Sequence, residues 1–311
     1  MIETPYANSI FEQPWWLDIV APGFWSESVV KEHGKVIARL PYCYNGHSIF
    51  MPKLTQTLGP WMVPNLREKI KGNCQLSRQK EIINCLLAQL PAYKSFQICM
   101  DNRNDYILPY RWHGFRYEPS FSYRITNLEN LDIVFSNFHK QVKKNIKKCE
   151  KTCRVSEEVD PDILISVMNK TYEHQGRNNP LSNKLVRDIV EVANKNKRGH
   201  MFTAKDLQGN IQVSAFMIFD NNRAYALMSG SDPKYRGSGS KSLIYWRQIQ
   251  FAQQYTREFD FEGSNIEGIE NIVRQFGGQY VVNYNVAKKG IIDDCIDMLK
   301  PRVKRLIGYK I

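Results

Sequence analysis

The sequence predicts an α/β chain made by tandem duplication of one α/β unit. Three observations carry this. The chain has 311 residues, room for two domains of about 150 residues each. Its 42% hydrophobic and 12% aromatic content is enough for packed cores. The order hairpin, strand, helix, strand, helix and β pair recurs in both halves. Matching landmarks recur with it: Gly34 with Gly209, Phe96 with Phe259, and Gly114 with Gly277.

Each element has a local reason. Residues 8–20 read as a short helix carrying the Trp15-Trp16 pair. Two β-rich runs around His33-Gly34 read as a hairpin, followed by a strand near residue 50 and a Pro/Gly loop. Residues 76–90 place apolar side chains at 82, 83, 86, 87 and 90, a helical spacing. "SFQICM" reads as a buried strand and "GFRYEPSFSYRIT" as further β structure. Residues 135–153 read as one helix with two stripes, apolar at 135, 138, 142, 146, 149 and 153, and lysine at 140, 143, 144, 147, 148 and 151. Helices follow at 161–176 and 181–197. Then come strands around the Gln208-Gly209 turn, a strand after Asn221-Asn222, a helix from Lys241, the strand "EFDFEGS", a helix into Phe276, and a last strand after Gly278.

The 43 basic and 31 acidic residues give a formal charge of +12, which favours anionic partners: nucleic acid, phosphorylated cofactors or an acidic membrane face. The seven cysteines show no metal-site spacing, so no metal is expected, and reduced thiols in a cytoplasm fit them. Cys149 and Cys153 are expected on consecutive turns of a helix. The N-terminus has no signal-peptide pattern and no apolar run reaches 18 residues, so no transmembrane segment is expected. The basic "LKPRVKRLIGYKI" tail is a terminal helix or strand, or touches a membrane surface. The expected location is cytoplasmic, at most peripheral at the inner membrane face.

"DPKYRGSGSKSL", from Asp232 to Leu243, lies between a strand and a helix. It fails the Walker A pattern, because Tyr235 and Ser240 stand where that loop needs glycine. It fails the dinucleotide fingerprint at Ser242. It fits an acyl-CoA loop, [QR]-x-x-G-x-[GA], with Lys234 in first place and Gly237 and Gly239 following. Glycines bring the backbone close to a pyrophosphate, and the free N–H groups of a helix start donate to it.

With this loop, and with "FDFEGSNIEGIENIVRQFGG" behind it, the sequence resembles the GNAT acyltransferase superfamily and within it the FemAB-like branch. The resemblance covers about residues 135–290. It implies two tandem GNAT-like domains, each a mixed, mostly antiparallel sheet flanked by helices: 1–134, degenerate, and 135–311, carrying the acyl-donor site and opened by the lysine-rich helix. It implies that Lys234, Tyr235, Arg236, Gly237, Ser238, Gly239, Ser240 and Lys241 bind the donor, with the backbone of Leu227, Met228 and Ser229 gripping its acyl end. Glu262 and Asp260 become the candidate bases. The usual tyrosine acid is missing, since Val273 and Arg274 stand where it belongs, and Arg274 is the candidate to stabilise developing charge. His174, Arg177 and Asn178, in a polar loop, are candidates for an acceptor pocket.

Three functions fit these residues. The first is transfer of an acyl group from acyl-CoA (acetyl-CoA) to an amine, as in an amino sugar or a small or lipid-linked cell-envelope precursor of polysaccharide biosynthesis. The second is an aminoacyl-tRNA-dependent transferase of the peptidoglycan-bridge type, with tRNA contacted through the lysine helix 135–153. The third is a non-catalytic GNAT-like binding module.

Overall fold

The structure is a computed structural model that describes residues 3–66, 74–263 and 265–289. In chain order the elements are α1 (Pro14–Val20), β1 (Trp25–Glu32), β2 (Lys35–Tyr44), β3 (Ser48–Phe50), β4 (Trp61–Met62), α2 (Cys74–Ala88), β5 (Ser95–Met100), α3 (Leu108–Trp112), β6 (Arg116–Ile125), α4 (Leu131–Ser136) and α5 (Lys140–Thr152). They continue with β7 (Cys153–Ser156), α6 (Pro161–His174), α7 (Asn183–Lys195), β8 (Gly199–Asp206), β9 (Ile211–Phe219), β10 (Arg223–Ser231), α8 (Ser240–Ala252), β11 (Glu258–Asp260), α9 (Glu267–Val273) and β12 (Gln279–Lys288).

The chain forms two compact units that interleave in sequence. Among the described residues, one holds the stretch up to Pro22, Lys53–Gln56 and Ser120–Asn283; the other holds Gly23–Pro52, Thr57–Pro119 and residues 284–289. The first unit's sheet runs β6-β11-β10-β9-β8-β7, antiparallel except for the parallel pair β10/β11. The second unit's sheet runs β1-β2-β3-β5-β12, antiparallel except for the parallel pair β3/β5, with β4 beside β2. Each is the mixed, mostly antiparallel sheet expected, with one parallel pair bridged by a helix, α8 or α2. The units do not part at residue 134, because the strands after the parallel pair change places. β6 follows β5 in the chain but pairs with β11, and β12 follows β11 but pairs with β5.

Local chemistry sets the boundaries. The β1–β2 hairpin turns at His33 (φ 48°) and Gly34 (φ 78°), the left-handed pair a tight hairpin needs. The carboxylate of Asp160 caps α6 by accepting from the N–H groups of Asp162 (2.9 Å) and Ile163 (3.3 Å), with Pro161 following. The helix expected over 135–153 is two helices. His139 Nδ1 caps α5 by accepting from the Gln141 N–H at 3.3 Å, and Cys153 already starts β7. Cys149 and Cys153 therefore do not share a helix; both are buried thiols. The basic tail after residue 298 lies outside the described residues. Among those described, no helix is long and apolar enough to cross a membrane.

The first unit's core joins the buried stripe of α5 (Val142, Ile146, Cys149) to Leu243, Trp246 and Ile249 of α8 and to Phe202, Ala215 and Met217 of β8 and β9. The second has its own core of Leu40, Ile83, Phe96, Ile98 and Val286. Two glycines let helices touch backbone in the first unit. A Cβ on Gly230 of β10 would lie 2.3 Å from the Met168 nitrogen of α6. One on Gly239 would lie 2.7 Å from the Asn145 oxygen of α5. Because the obstacle at Gly230 is backbone, Gly230→Ala is expected to destabilise the protein by about 1–3 kcal/mol, read by urea unfolding.

Candidate functional site

The site starts where the parallel pair opens. β10 and β11 are in register only over Arg223–Tyr225 and Glu258–Asp260. At the same level β10 bulges: Tyr225 pairs with Ile218, but the next paired residue is Met228, with Phe216. The bulge takes Ala226 and Leu227 out of the ladder with β9, while Met228 and Ser229, also expected in the grip, pair with Phe216 and Ala215. At its far end Ser231 is held by α6, its N–H donating to Thr171 Oγ1 (2.8 Å) and its carbonyl accepting from the same hydroxyl (2.9 Å).

The loop from Asp232 to Ser240 then reverses into α8. Asp232 Oδ1 accepts from the Lys234 N–H at 3.0 Å and Oδ2 from Lys170 Nζ at 2.7 Å, and the hydrogen bond from Lys170 is the main reason its carboxyl sits below the ordinary range. Gly237 (φ 84°) and Gly239 (φ 93°) are left-handed, and Gly239 caps the helix without a side-chain cap bond. Ser238 donates its N–H to the Tyr235 carbonyl, and its hydroxyl accepts from the Ser240 N–H. Among the described residues, the N–H groups of Gly237, Gly239, Lys241 and Ser242 have no hydrogen-bond partner. Four free donors, the positive end of a 13-residue helix and the cations Arg236 and Lys241 together suit an anion.

They border a cavity of about 450 Å³. Of the donor-binding residues expected from the sequence, Tyr235 through Lys241 line it, while Lys234 and Leu227–Ser229 do not. Other walls come from Val142 and Asn145 of α5, Thr171 and His174 of α6, Gln212 of β9, and Ile272 and Gln275 near α9. Sequence reading missed Gln212, whose buried Oε1 has no partner; a glutamine inside a strand gives no signal. Lys241 donates from Nζ to Ser229 Oγ, lies 5.0 Å from the centre of the Tyr245 ring, and is pushed down to about 8 by burial.

The two candidate bases separate in role. Asp260 is wholly buried, and its oxygens accept from Ser122 Oγ (2.5 Å), Gln56 Nε2 (3.1 Å), the Glu262 N–H (2.9 Å) and Arg124 Nε (3.1 Å). A carboxylate so occupied is structural. Glu262 is left-handed (φ 50°), and its buried Oε1 has no partner. Burial first, and the charge of Asp260 second, push its carboxyl well above the ordinary 4.5. Its charge adds to the burial that raises the Tyr245 phenol to about 12, which places Glu262 near that ring. A strained residue with an unpaired buried carboxyl has the marks of a functional group.

The remaining candidates scatter. Arg274 is exposed and engaged with Asn271 (2.7 Å) and Glu270 (3.6 Å), outside the cavity lining. His174 reaches the cavity, whereas Arg177 and Asn178 are exposed and do not line it.

Residues 136–268 match the family described as acetyltransferase (GNAT) domain. The whole fold is similar to a crystal structure of FemX, with 12% identity, 90% of this chain and 92% of that one covered, and a TM-score of 0.64. It is also similar to the C-terminal domain of a putative lysylphosphatidylglycerol synthetase from Agrobacterium fabrum (13%, 92% and 94%, TM-score 0.53). A tandem GNAT protein from the clavulanic acid biosynthesis pathway aligns too (10%, 88% and 93%, TM-score 0.50). No curated protein sequence matches. Residues 136–268 thus match a GNAT domain, and the fold is like those of FemX and of a tandem GNAT protein.

Asp260→Ala would take from the buried Arg124 guanidinium its nearer carboxylate, leaving Glu258 at 3.8 Å, and is expected to cost about 3–5 kcal/mol in chemical unfolding. Glu262→Gln behaves oppositely. A carboxyl raised in the folded state contributes stability below its unfolded value and loses it as pH climbs toward the folded one. The variant should therefore match the parent at acid pH and exceed it in melting temperature at alkaline pH.

Proposed function

We propose that the chain is an N-acyltransferase that takes its acyl group from acyl-CoA and passes it to an amine, such as an amino sugar or a cell-envelope precursor. The observation that supports this most is the row of four unpartnered N–H groups at Gly237, Gly239, Lys241 and Ser242, open to a cavity and flanked by Arg236. A pyrophosphate matches such a row in charge and in acceptors. The bulged β10 supplies free backbone for the acyl end. Glu262, raised and unpaired, is the group that takes the proton from the attacking ammonium. His174 borders the acceptor side.

A second reading is favoured by α5. Its exposed Lys140, Lys144, Lys147, Lys148 and Lys151 form no ion pair among the described residues, and Glu150 is engaged by Arg247 at 3.5 Å. Such a stripe suits the phosphates of an aminoacyl-tRNA donor.

Acetyl-CoA at 100 times its Kd should stabilise the chain by about 2.7 kcal/mol, seen as a rise in melting temperature. Gly237→Val, forced into a left-handed backbone, should abolish that rise. No rise with CoA, together with salt-sensitive tRNA binding lost on replacing the α5 lysines, would favour the second reading instead. Once an acceptor amine is found, Glu262→Gln should lower kcat about 10²–10⁴-fold with CoA binding unchanged.

A further inference from the structure

Lys241 lines the cavity from the first turn of α8 and, among the described residues, has no acidic partner. Among the described residues its Nζ has one hydrogen bond, to the hydroxyl of Ser229 on β10, and one ring contact, with Tyr245. A lysine kept only to neutralise phosphate works best hydrated and fully charged. Here burial opposes the charge, and no carboxylate restores it. The titratable groups around it are Tyr245 on its own helix, Asp232, Tyr235 and Arg236 on the loop, and His174 on α6. Asp232 is engaged with Lys170, and the charge of Glu262 bears on the Tyr245 phenol. At pH 7 an amine at about 8 carries a neutral fraction about 300-fold that of a lysine at 10.5. The neutral amine is the nucleophile.

We infer that Lys241 is itself an acyl acceptor: an acyl thioester held in the cavity modifies the chain on this amine. The inference rests on the acyl-CoA reading of the cavity. In the step, the Nζ lone pair attacks the thioester carbonyl carbon. The C–N bond forms, the C–S bond breaks, the sulfur leaves with the bonding pair, and the proton shed by nitrogen passes to the thiolate. The products are Nε-acyl-Lys241 and free CoA thiol. The amide carries no charge and fills part of the cavity, so the modified chain holds the anionic donor less well. Donor abundance thereby sets a brake on the site.

The test incubates the full chain with acetyl-CoA from about pH 6 to about 9 and follows it by intact mass and peptide mapping. One acetyl group is expected on Lys241, at a rate that climbs with pH and levels off above about 8, and at least about tenfold faster than on Lys144, Lys147 or Lys148. Lys241→Met, shown to be folded by circular dichroism, should lose that label. The labelled chain should show a smaller rise in melting temperature with fresh acetyl-CoA. A chain that is stabilised by acetyl-CoA yet stays unlabelled at Lys241, or is labelled as fast along α5, overturns the inference alone. A chain neither stabilised nor labelled overturns the donor reading with it.

Discussion

The carboxylate of Asp260 is completely enclosed, yet it is bonded to four donors, from Gln56, Ser122, Arg124 and the backbone of Glu262. A buried charge is tolerable only when its acceptor capacity is used up, so the four groups have little freedom to move. Arg124 and Ser122 belong to β6, so the bonds fix how β6 meets the end of β11. The N–H of Glu262 belongs to the turn that leaves β11, so the same carboxylate holds Glu262 in its left-handed conformation. The placement of the Glu262 carboxyl therefore depends on a neighbour two residues away that has no freedom left to do chemistry.

The other wall of the site is fixed by absence of side chains. Gly230 and Gly239 sit where β10 and the loop touch the backbones of α6 and α5, and any Cβ would push these helices off. The helices carry Thr171 and His174 on one side and Val142 and Asn145 on the other. The anion-binding row is thus closed by segments far apart in sequence, and the helix that faces solvent with lysines faces the cavity with Asn145.

Much of this was legible in the residues, for physical reasons. The loop could be read because its two glycines stand between a strand and a helix, and Tyr235 through Ser242 line the cavity. Helical and strand periods gave nearly every element. What was not legible depended on partners. Asp260 and Glu262 look equivalent as "DFE"; only the donors brought by Gln56, Ser122 and Arg124 separate a structural carboxylate from an unpaired one. The depression of Lys241 comes from burial, which no local pattern announces. The break of the lysine helix at His139 hides inside a continuous apolar stripe, because one capping bond decides it. The division at residue 134 followed from reading the repeat as two closed modules, and strand pairing does not respect it.

The exchanged strands bear on how the chain comes into being. The sheet begun by β1, β2, β3 and β5 takes its last strand from Tyr284–Lys288. On a ribosome that strand emerges only when most of the protein has been made. The early half must wait with an open sheet edge, exposed to aggregation, while the later half completes around β6. A deletion that trimmed the early half as a spent duplicate would also take away β6, and with it the donors Ser122 and Arg124. The early half of the chain is in this way kept by heredity as a part of the later one.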